Sequence, residues 1–347
     1  MRFSSKLSTT IIILLSTLLL ACSDGADNGE PSIPTPVPTT PVSTTQTLSG
    51  GAVKGPLANA IVTVYAFDSA QAGFKGAVIA SGTTDASAAI TGLALPTPLT
   101  PPYIMEFTST AGITIDITTG VFPFINTLSS VITQGLLDSG EPVYATPLTT
   151  LALSVAINQS TNEATAAEFL VTLLAAAEQV AKTFGFGMPQ RVDIFVTPPL
   201  VNNASDTLEA LSDTLAYRTA IEAFAAVTFE MEQDVSTTSD VSDIITELAK
   251  DLSDGVIDAR VNGVSSEVYN TATLTQLSQD PTGLTIPNTT LTVAEVASML
   301  VDETNITGTT TSTAELSNGA ITVTIEPVTS IIARWGEFNW NDGSTWQ

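Results

Sequence analysis

Hydrophobic and polar positions alternate with a period of two residues over about residues 48–120. The clearest alternating runs are AIVTVYAF at 60–67, YIMEFTS at 103–109 and ITIDITT at 113–119. In the last run the isoleucines share one face of a strand, and Thr114, Asp116 and Thr118 share the other. Turns rich in glycine, proline and aspartate separate the runs. Short strands at this spacing predict an antiparallel β-sandwich over residues 48–142.

From residue 143 to residue 260 the hydrophobic period changes to that of an α-helix. Residues that favour helix starts mark the beginning of each predicted helix. Four helices are predicted: one from Thr146 with Pro147 in its first turn, one from a capping box at Ser160–Glu163 to about Phe184, one from Ser205 or Asp206 to about Gln233, and one from Asp240 to about Ser253. Helices joined by short connections predict a bundle-like domain.

The last part of the chain, residues 261–347, has a mixed pattern. The sequence predicts a short helix at 292–301, a strand at 319–328 and a terminal hairpin at 337–347 that turns at Asn341-Asp342-Gly343. The whole chain is therefore predicted to be an α+β multidomain protein. An N-terminal β-sandwich precedes a helical domain and a small mixed C-terminal region.

The first residues have the pattern of an export signal. Arg2 and Lys6 precede an apolar run at residues 11–21. This run is shorter than the ~20 residues that a membrane-spanning helix needs. A short basic segment followed by a short apolar segment is typical of a signal peptide. Residues 1–21 are therefore predicted to be removed after export.

The apolar run ends in Leu19-Leu20-Ala21-Cys22, which resembles the lipobox of bacterial lipoproteins. The resemblance implies that Cys22 becomes the first mature residue and carries diacylglycerol. Ser23 follows the cysteine, and by the same resemblance this favours the outer membrane. Residues 22–47 then form a tether rich in proline and threonine, which favours an extended backbone. An ordinary signal peptide with an incidental cysteine is the alternative interpretation.

A second resemblance concerns the start of the predicted sandwich. The segment GGAVKGPLANAIVTVYAF at 50–67 resembles the opening of carboxypeptidase-regulatory-like domains, which are small transthyretin-like or prealbumin-like sandwiches. Thr84 and Asp85 also match that pattern, whereas Ala88 and Ile90 replace its glycine and aromatic residue. The resemblance implies a structural or binding module and carries over no catalytic residues.

Composition excludes several classes of function. The formal charge is −25, and loss of Arg2 and Lys6 with the signal makes it −27, so nucleic acid is not an expected partner. The chain has no histidine, which excludes Ser-His-Asp catalysis and histidine-ligated zinc. Cys22 is the only cysteine, so the mature chain has no disulfide and no thiol nucleophile within its folded part. An enzyme built from this chain would depend on carboxylates, hydroxyls or lysines.

An acidic segment near the end of the fourth predicted helix is a candidate metal site. The sequence DLSDGVID places Asp251, Asp254 and Asp258 around a turn, and their carboxylate oxygens are ligands that Ca²⁺ prefers. The spacing departs from that of an EF-hand loop. The other interpretation is a solvated helix face that ends at Gly255.

All three tryptophans of the chain lie close to its C-terminus. Trp335, Phe338, Trp340 and Trp346 lie within the last residues of the chain. One interpretation is a platform that binds a sugar ring or a partner protein. The other is a terminal hairpin that covers the core with its large apolar area.

Together these features predict a membrane-anchored cell-envelope lipoprotein that acts as a non-enzymatic binding or scaffold module. Its expected partners are the membrane, through the N-terminal lipid, and a protein or carbohydrate ligand that the sequence does not specify. No cofactor is expected beyond the calcium considered above. The alternative is a carboxylate-based hydrolase of envelope or extracellular polysaccharide, because glycosidases need only two carboxyl groups.

Overall fold

The computed structural model of the chain describes residues 45–233, 239–261, 263–269, 274 and 279–326. Over these residues the protein has a mixed α and β architecture, with most strands before residue 146 and most helices after it. The strands are β1 (Gln46–Thr47), β2 (Gly50–Ala52), β3 (Leu57–Ala58), β4 (Ile61–Phe67), β5 (Lys75–Thr84), β6 (Ile90–Thr91), β7 (Ala94–Leu95), β8 (Tyr103–Thr108), β9 (Ile115–Asp116), β10 (Thr127–Ile132), β11 (Val143–Ala145), β12 (Arg260–Val261) and β13 (Val264–Ser265).

Five of these strands form an antiparallel sheet in the order β10-β8-β4-β5-β6. The alternating segment at 60–67 forms the central strand β4, and the one at 103–109 forms its neighbour β8. Val62 and Val64 of β4 are buried, whereas Ile61 at its start is 44% exposed. The β-branched residues fit the pleated, half-buried surface of such a strand.

Pairs of short strands connect this sheet to the rest of the fold. β2 pairs in parallel with β11, and β3 pairs antiparallel with β9, where Asp116 lies opposite Leu57. In and beside β9 the apolar face of the alternating segment points outward, which is the reverse of the usual orientation. Ile113 and Ile115 are 56% and 42% exposed, while Thr114 and Asp116 are buried. The polar face of this segment therefore faces the interior.

The helices are α1 (Gln134–Ser139), α2 (Pro147–Gln159), α3 (Ala166–Phe184), α4 (Leu208–Glu232), α5 (Val241–Leu252), α6 (Val296–Thr307) and α7 (Ala314–Ser317). Two predicted helix starts are confirmed. Thr146 caps α2 with Pro147 in the first turn, and Asp240 caps α5 by accepting the backbone N–H of Asp243. Each cap satisfies backbone donors that the first helical turn leaves free.

Three details of the sequence prediction are wrong. Helix α3 starts after a capping box formed by Thr165 and Glu168, not by Ser160 and Glu163. Helix α4 is capped by Thr207, directly after the two residues proposed from the sequence. The described part of the predicted strand at 319–328, residues 319–326, contains no strand. Both α3 and α4 begin after the residue whose side chain accepts a hydrogen bond from a free backbone N–H of the first turn.

One hydrophobic core connects the sheet and the helices. Helix α2 packs against β10, α3 and α5, and helix α4 packs against α2, α5 and α6. Buried residues from both the strands and the helices belong to one contiguous cluster across residue 142. The described residues from 45 onward belong to one compact unit. The domain boundaries at 142 and 260 stay predictions.

Candidate functional site

Five charged side chains meet in the interior of the protein. Lys54 follows β2, Asp116 belongs to β9, Arg218 and Glu222 lie on α4, and Glu303 lies on α6. None of these residues is more than 3% exposed. Burial of charge is costly unless each charge is paired and hydrogen-bonded. We therefore treat these five residues, the buried charge network, as the candidate functional site.

Helix α4 supplies the centre of the buried charge network. Its middle turns, from Leu215 to Thr228, are buried on every side of the helix. Arg218 and Glu222 are four residues apart and therefore lie on the same face. The Arg218 Nε donates to Glu222 Oε1 at 2.9 Å. Because no face of this part of α4 reaches water, the two charges depend on protein partners.

Helix α6 contributes the second carboxylate partner of Arg218. The guanidinium donates to both carboxylate oxygens of Glu303, at 2.6 Å and 2.9 Å. The hydroxyl of Thr118 also donates to Glu303. Bidentate pairs of this kind are among the strongest polar contacts in proteins. The arrangement joins the loop after β9 to helices α4 and α6.

Burial and pairing shift the ionisation of this pair in identifiable ways. Desolvation raises the pKa of Glu303, and the opposing influence of Arg218 and Thr118 does not cancel that rise. Desolvation alone would lower the pKa of Arg218, but Glu303 and Glu222 more than reverse it, so the net pKa of Arg218 is raised. Arg218 therefore remains charged.

Lys54 and Asp116 form the other end of the buried charge network. The Lys54 Nζ lies 3.4 Å from Glu222 Oε2 and 3.8 Å from Asp116 Oδ2. The other oxygen of Asp116, Oδ1, accepts the backbone N–H groups of Thr118 at 2.9 Å and Thr119 at 3.3 Å. A Cβ atom at Gly55 would lie 1.9 Å from this same Oδ1. Glycine at position 55 therefore makes room for the carboxyl group.

The buried charge network contains two cations and three carboxylates, so its formal charge is −1 when all five groups are ionised. Glu222 Oε2 has no hydrogen-bond partner, although it faces Lys54. Each of the five residues is at most 3% exposed, and each one pairs with at least one other member of the network.

The acidic segment that the sequence singled out has a different geometry. Asp251, at the end of α5, is fully buried. It accepts backbone N–H groups from Asp258, Ala259 and Arg260, and the hydroxyl of Tyr269 donates to it as well. Desolvation raises the pKa of Asp251 in spite of these hydrogen bonds. Asp251 thus holds the chain segment that follows α5 in place.

Asp254 and Asp258 do not converge with Asp251 on one point. Asp254 accepts the backbone N–H of Val256 at 3.0 Å, and Asp258 contributes its own N–H to Asp251. Across the described ranges no group of three or more acidic, histidine or cysteine side chains is arranged to hold a metal ion. The calcium site stays a prediction.

The other predicted site residues lie outside the described residues. These are Cys22 and the aromatic residues Trp335, Phe338, Trp340 and Trp346. A search of the described part of the chain found no helix with the length and apolarity needed to cross a membrane.

A surface cleft lies beside helix α3. Its volume is about 520 Å³, and α3, the segment 186–194 and Glu326 line it. Leu174 on its edge is 64% exposed, and nearby Val171 is 70% exposed. Glu178 in the cleft pairs with Lys182 at 2.7 Å, which lowers the pKa of Glu178. Glu178 therefore stays ionised near neutral pH and is poorly suited to donate a proton.

The sequence does not mark the buried charge network as a unit, because its members lie far apart along the chain. One signal was present in the sequence. Arg218 and Glu222 are charged residues four positions apart within LAYRTAIEAFAAV at 215–227, which is otherwise apolar or small. Charges inside a fully apolar helical segment indicate a buried pair. No comparable pattern marks Lys54 or Glu303.

Comparison of the chain with protein families, with curated proteins and with solved structures found no match.

Proposed function

We propose that the protein is a cell-envelope lipoprotein, anchored in the outer membrane through lipid on Cys22, that acts as a non-enzymatic binding or scaffold module. The lipobox-like sequence Leu19–Cys22 at the end of a short apolar run supports the anchor. Ser23 and the proline-rich residues 22–47 support a tether that holds the folded part away from the membrane surface.

The observation that carries the non-enzymatic part of the proposal is the location of the buried charge network. Its acids and bases are the kind of groups that catalysis needs, but Asp116, Glu222 and Glu303 are at most 3% exposed. They also face other side chains and backbone donors of the same protein. A polysaccharide or peptide from solution has no access to groups in this position.

A carboxypeptidase-regulatory-like sandwich over 48–142, followed by a helical domain over 143–260, accords with the antiparallel sheet and with the later helices. The resemblance of residues 50–67 to such domains supports it. The resemblance implies a structural or binding module and carries over no catalytic residues.

The α3 cleft is the surface on which a protein or carbohydrate ligand would bind. Apolar side chains such as Leu174 are exposed to water, and a partner that covers them removes this unfavourable contact. Trp335, Phe338, Trp340 and Trp346 are the second proposed binding surface. Leu174→Lys should weaken capture of the ligand, whereas Val264→Lys, at an equally exposed position on β13, should not.

Metabolic labelling with palmitate tests the anchor. The wild-type chain should incorporate the label and partition with outer membranes, and Cys22→Ser should do neither. A wild-type protein that remains unlabelled and is recovered as a soluble periplasmic protein would contradict the lipid anchor. Protease treatment of intact cells, with a periplasmic control protein, then shows which side of the outer membrane carries the folded part.

The hydrolase alternative depends on the α3 cleft, because Glu178, Asp193 and Glu326 line it. Release of reducing ends from envelope polysaccharide by the wild-type protein, abolished in Glu326→Gln, would favour this alternative. Glu315→Gln is the matched control, since Glu315 lies on α7 and does not line the cleft. No release above that of a heat-inactivated sample would exclude it for the substrates used.

A further inference from the structure

Lys54 has an unusual environment for a lysine. Its side chain is 1% exposed, but its two carboxylate neighbours lie at 3.4 Å and 3.8 Å. Charge-assisted hydrogen bonds between ammonium and carboxylate groups are ordinarily shorter, about 2.7–2.9 Å. The nitrogen is thus held near the carboxyl group of Asp116 without a short ionic contact to it.

The carboxyl group of Asp116 has two unlike oxygens. Oδ1 accepts backbone N–H groups from Thr118 and Thr119, while Oδ2 faces the nitrogen of Lys54. Backbone donors aimed at one oxygen stabilise the negative charge that develops on it when a nucleophile attacks the carboxyl carbon. The oxygen that faces Lys54 is the one that such an attack would release.

Glu222 supplies a third component. Its Oε2 lies 3.4 Å from Lys54 Nζ, is buried, and has no hydrogen-bond partner. Its other oxygen, Oε1, accepts from Arg218, which fixes the orientation of the carboxylate. A carboxylate oriented in this way accepts a proton from the lysine and passes it on, as a general base and then a general acid.

We propose that Lys54 and Asp116 become joined by an intramolecular amide bond between Nζ and Cγ, with Glu222 carrying the proton. The Lys54 ammonium first gives one proton to the Asp116 carboxylate, through Glu222, which leaves a neutral amine beside a neutral carboxylic acid. Nζ then attacks Cγ, and Oδ1 carries the negative charge of the tetrahedral intermediate. Glu222 removes a second proton from Nζ and delivers it to Oδ2, which departs as water.

This reaction is balanced within the site. One ammonium and one carboxylate give one amide and one water molecule, with no oxidant, cofactor or external reactant. The formal charge of the buried charge network stays −1, because one cation and one anion disappear together. Two buried charges are replaced by a neutral amide, which removes the desolvation cost of both.

The buried position also favours the reaction kinetically. Amine and carboxyl groups held side by side react at a high effective concentration. Exclusion of bulk water protects the amide from hydrolysis once it has formed. The absence of a side chain at Gly55 permits the close approach of this carboxyl group.

Mass spectrometry of the complete purified protein tests the proposal directly. After denaturation and digestion with trypsin and a second protease, the wild type should lack cleavage after Lys54. It should instead yield a branched peptide in which the Lys54 and Asp116 segments are joined, with a mass lower than their sum by one water. Normal cleavage after Lys54 and two separate peptides of full mass would overturn the proposal.

An internal control comes from a second lysine, Lys75, at the start of β5. Lys75 contacts Glu106 more closely than Lys54 contacts Asp116, but both side chains of that pair are partly exposed, at 30% and 16%. Lys75 should be cleaved normally by trypsin and should form no branched peptide. A branched peptide at this pair as well would show nonspecific condensation and would overturn the assignment to the buried site.

Two variants separate the bond from the fold. Lys54→Arg keeps the positive charge and a trypsin site, and it should give only linear peptides. Glu222→Gln keeps the size of the side chain and should reduce the branched peptide by more than tenfold. Circular dichroism confirms that each variant is folded. Full cross-linking in Glu222→Gln would overturn the role of Glu222 as proton carrier.

Discussion

Asp251 and Glu303 are both buried carboxylates, but they obtain their partners in different ways. Asp251 accepts backbone N–H groups from residues 258–260, less than ten positions along the chain, and the hydroxyl of Tyr269. Glu303 pairs with Arg218 and Thr118, which lie far away in the sequence. The first carboxylate organises a loop, and the second joins separate parts of the fold.

This difference shows two ways in which the protein compensates a buried carboxylate. Neutral backbone N–H groups hydrogen-bond to Asp251 from the loop that follows it, so no cation is needed there. Where carboxylates from different elements meet in the core, Arg218 and Lys54 supply the compensating charge. The chain has only ten basic residues, and two of them occupy this buried position.

The strongest test of the comparison removes the central cation. Arg218→Met keeps an unbranched apolar stem but removes the guanidinium, which leaves Glu222 and Glu303 as buried carboxylates without their shared partner. We expect the free energy of unfolding to fall by about 3–5 kcal/mol, measured by urea denaturation. Arg191→Met is the matched control, because Arg191 pairs with Asp213 at the surface. Equal losses in the two variants would contradict a special role for the buried charge network.

The next test removes the carboxylate that organises its own loop. Asp251→Ala leaves three backbone N–H groups and the Tyr269 hydroxyl without an acceptor. Each unsatisfied buried donor costs about 1–3 kcal/mol before relaxation, and water entry into the loop reduces the total, so we expect a loss of about 2–3 kcal/mol. Thermal unfolding measures it, and Asp254→Ala should lose much less.

The same two positions test the calcium prediction. Because Asp251 already accepts four hydrogen bonds, we expect no heat when Ca²⁺ is titrated into the wild-type protein. Heat in the wild type that disappears in Asp251→Asn/Asp254→Asn would instead support the calcium site and contradict the structural role.

The pH dependence of stability sharpens the comparison further. The pKa of Glu303 is raised in the folded state, so its stabilising contribution is complete below its unfolded pKa of about 4.3 and is lost as pH rises through the folded value. As pH rises above about 4.3, wild type should therefore lose stability more steeply than Glu303→Gln, by up to about 1.4 kcal/mol per pH unit.

Glu168 provides a control of opposite sign for this experiment. The backbone N–H of Thr165 lowers the pKa of Glu168, so its contribution is present above the unfolded pKa and is lost as pH falls. The stability difference between wild type and Glu168→Gln should grow as pH rises. The same slope in both variants would indicate overall charge repulsion instead of site-specific ionisation.

The smallest expected effect concerns the start of α3. Thr165→Ala removes the side chain that accepts the N–H of Glu168, and we expect a loss of about 1 kcal/mol in urea denaturation. Ser160→Ala should change stability less, because Ser160 lies before the first turn of α3. A larger loss of stability in Ser160→Ala than in Thr165→Ala would contradict the capping box formed by Thr165 and Glu168.

Elements defined by local interactions were predicted well from the sequence. The strand at 60–67, the cap of α2 at Thr146 and the cap of α5 at Asp240 are confirmed. The start of α3 was wrong because both Ser160-x-x-Glu163 and Thr165-x-x-Glu168 fit the capping-box pattern. The local pattern does not distinguish the two, because the start of the helix also depends on how the helix packs in the fold.

The periodicity of the sequence does not show which face of residues 113–119 turns towards the core. Alternation predicts that the isoleucines share a face, and an apolar face ordinarily turns towards the core. Here Thr114 and Asp116 turn inward, since Asp116 meets Lys54 and two backbone donors there. The partners that reverse the usual orientation come from other segments, and no window of sequence contains them.

Short-range chemistry along the chain thus decides where helices and caps occur, because their hydrogen bonds form between residues a few positions apart, and side-chain alternation marks the longer strands. The same holds for the export signal and the tether, whose predicted properties depend on composition alone. The partners of Lys54, Asp116, Arg218, Glu222 and Glu303 depend instead on how distant segments pack. A buried charge needs a partner in space, and the tertiary structure supplies it.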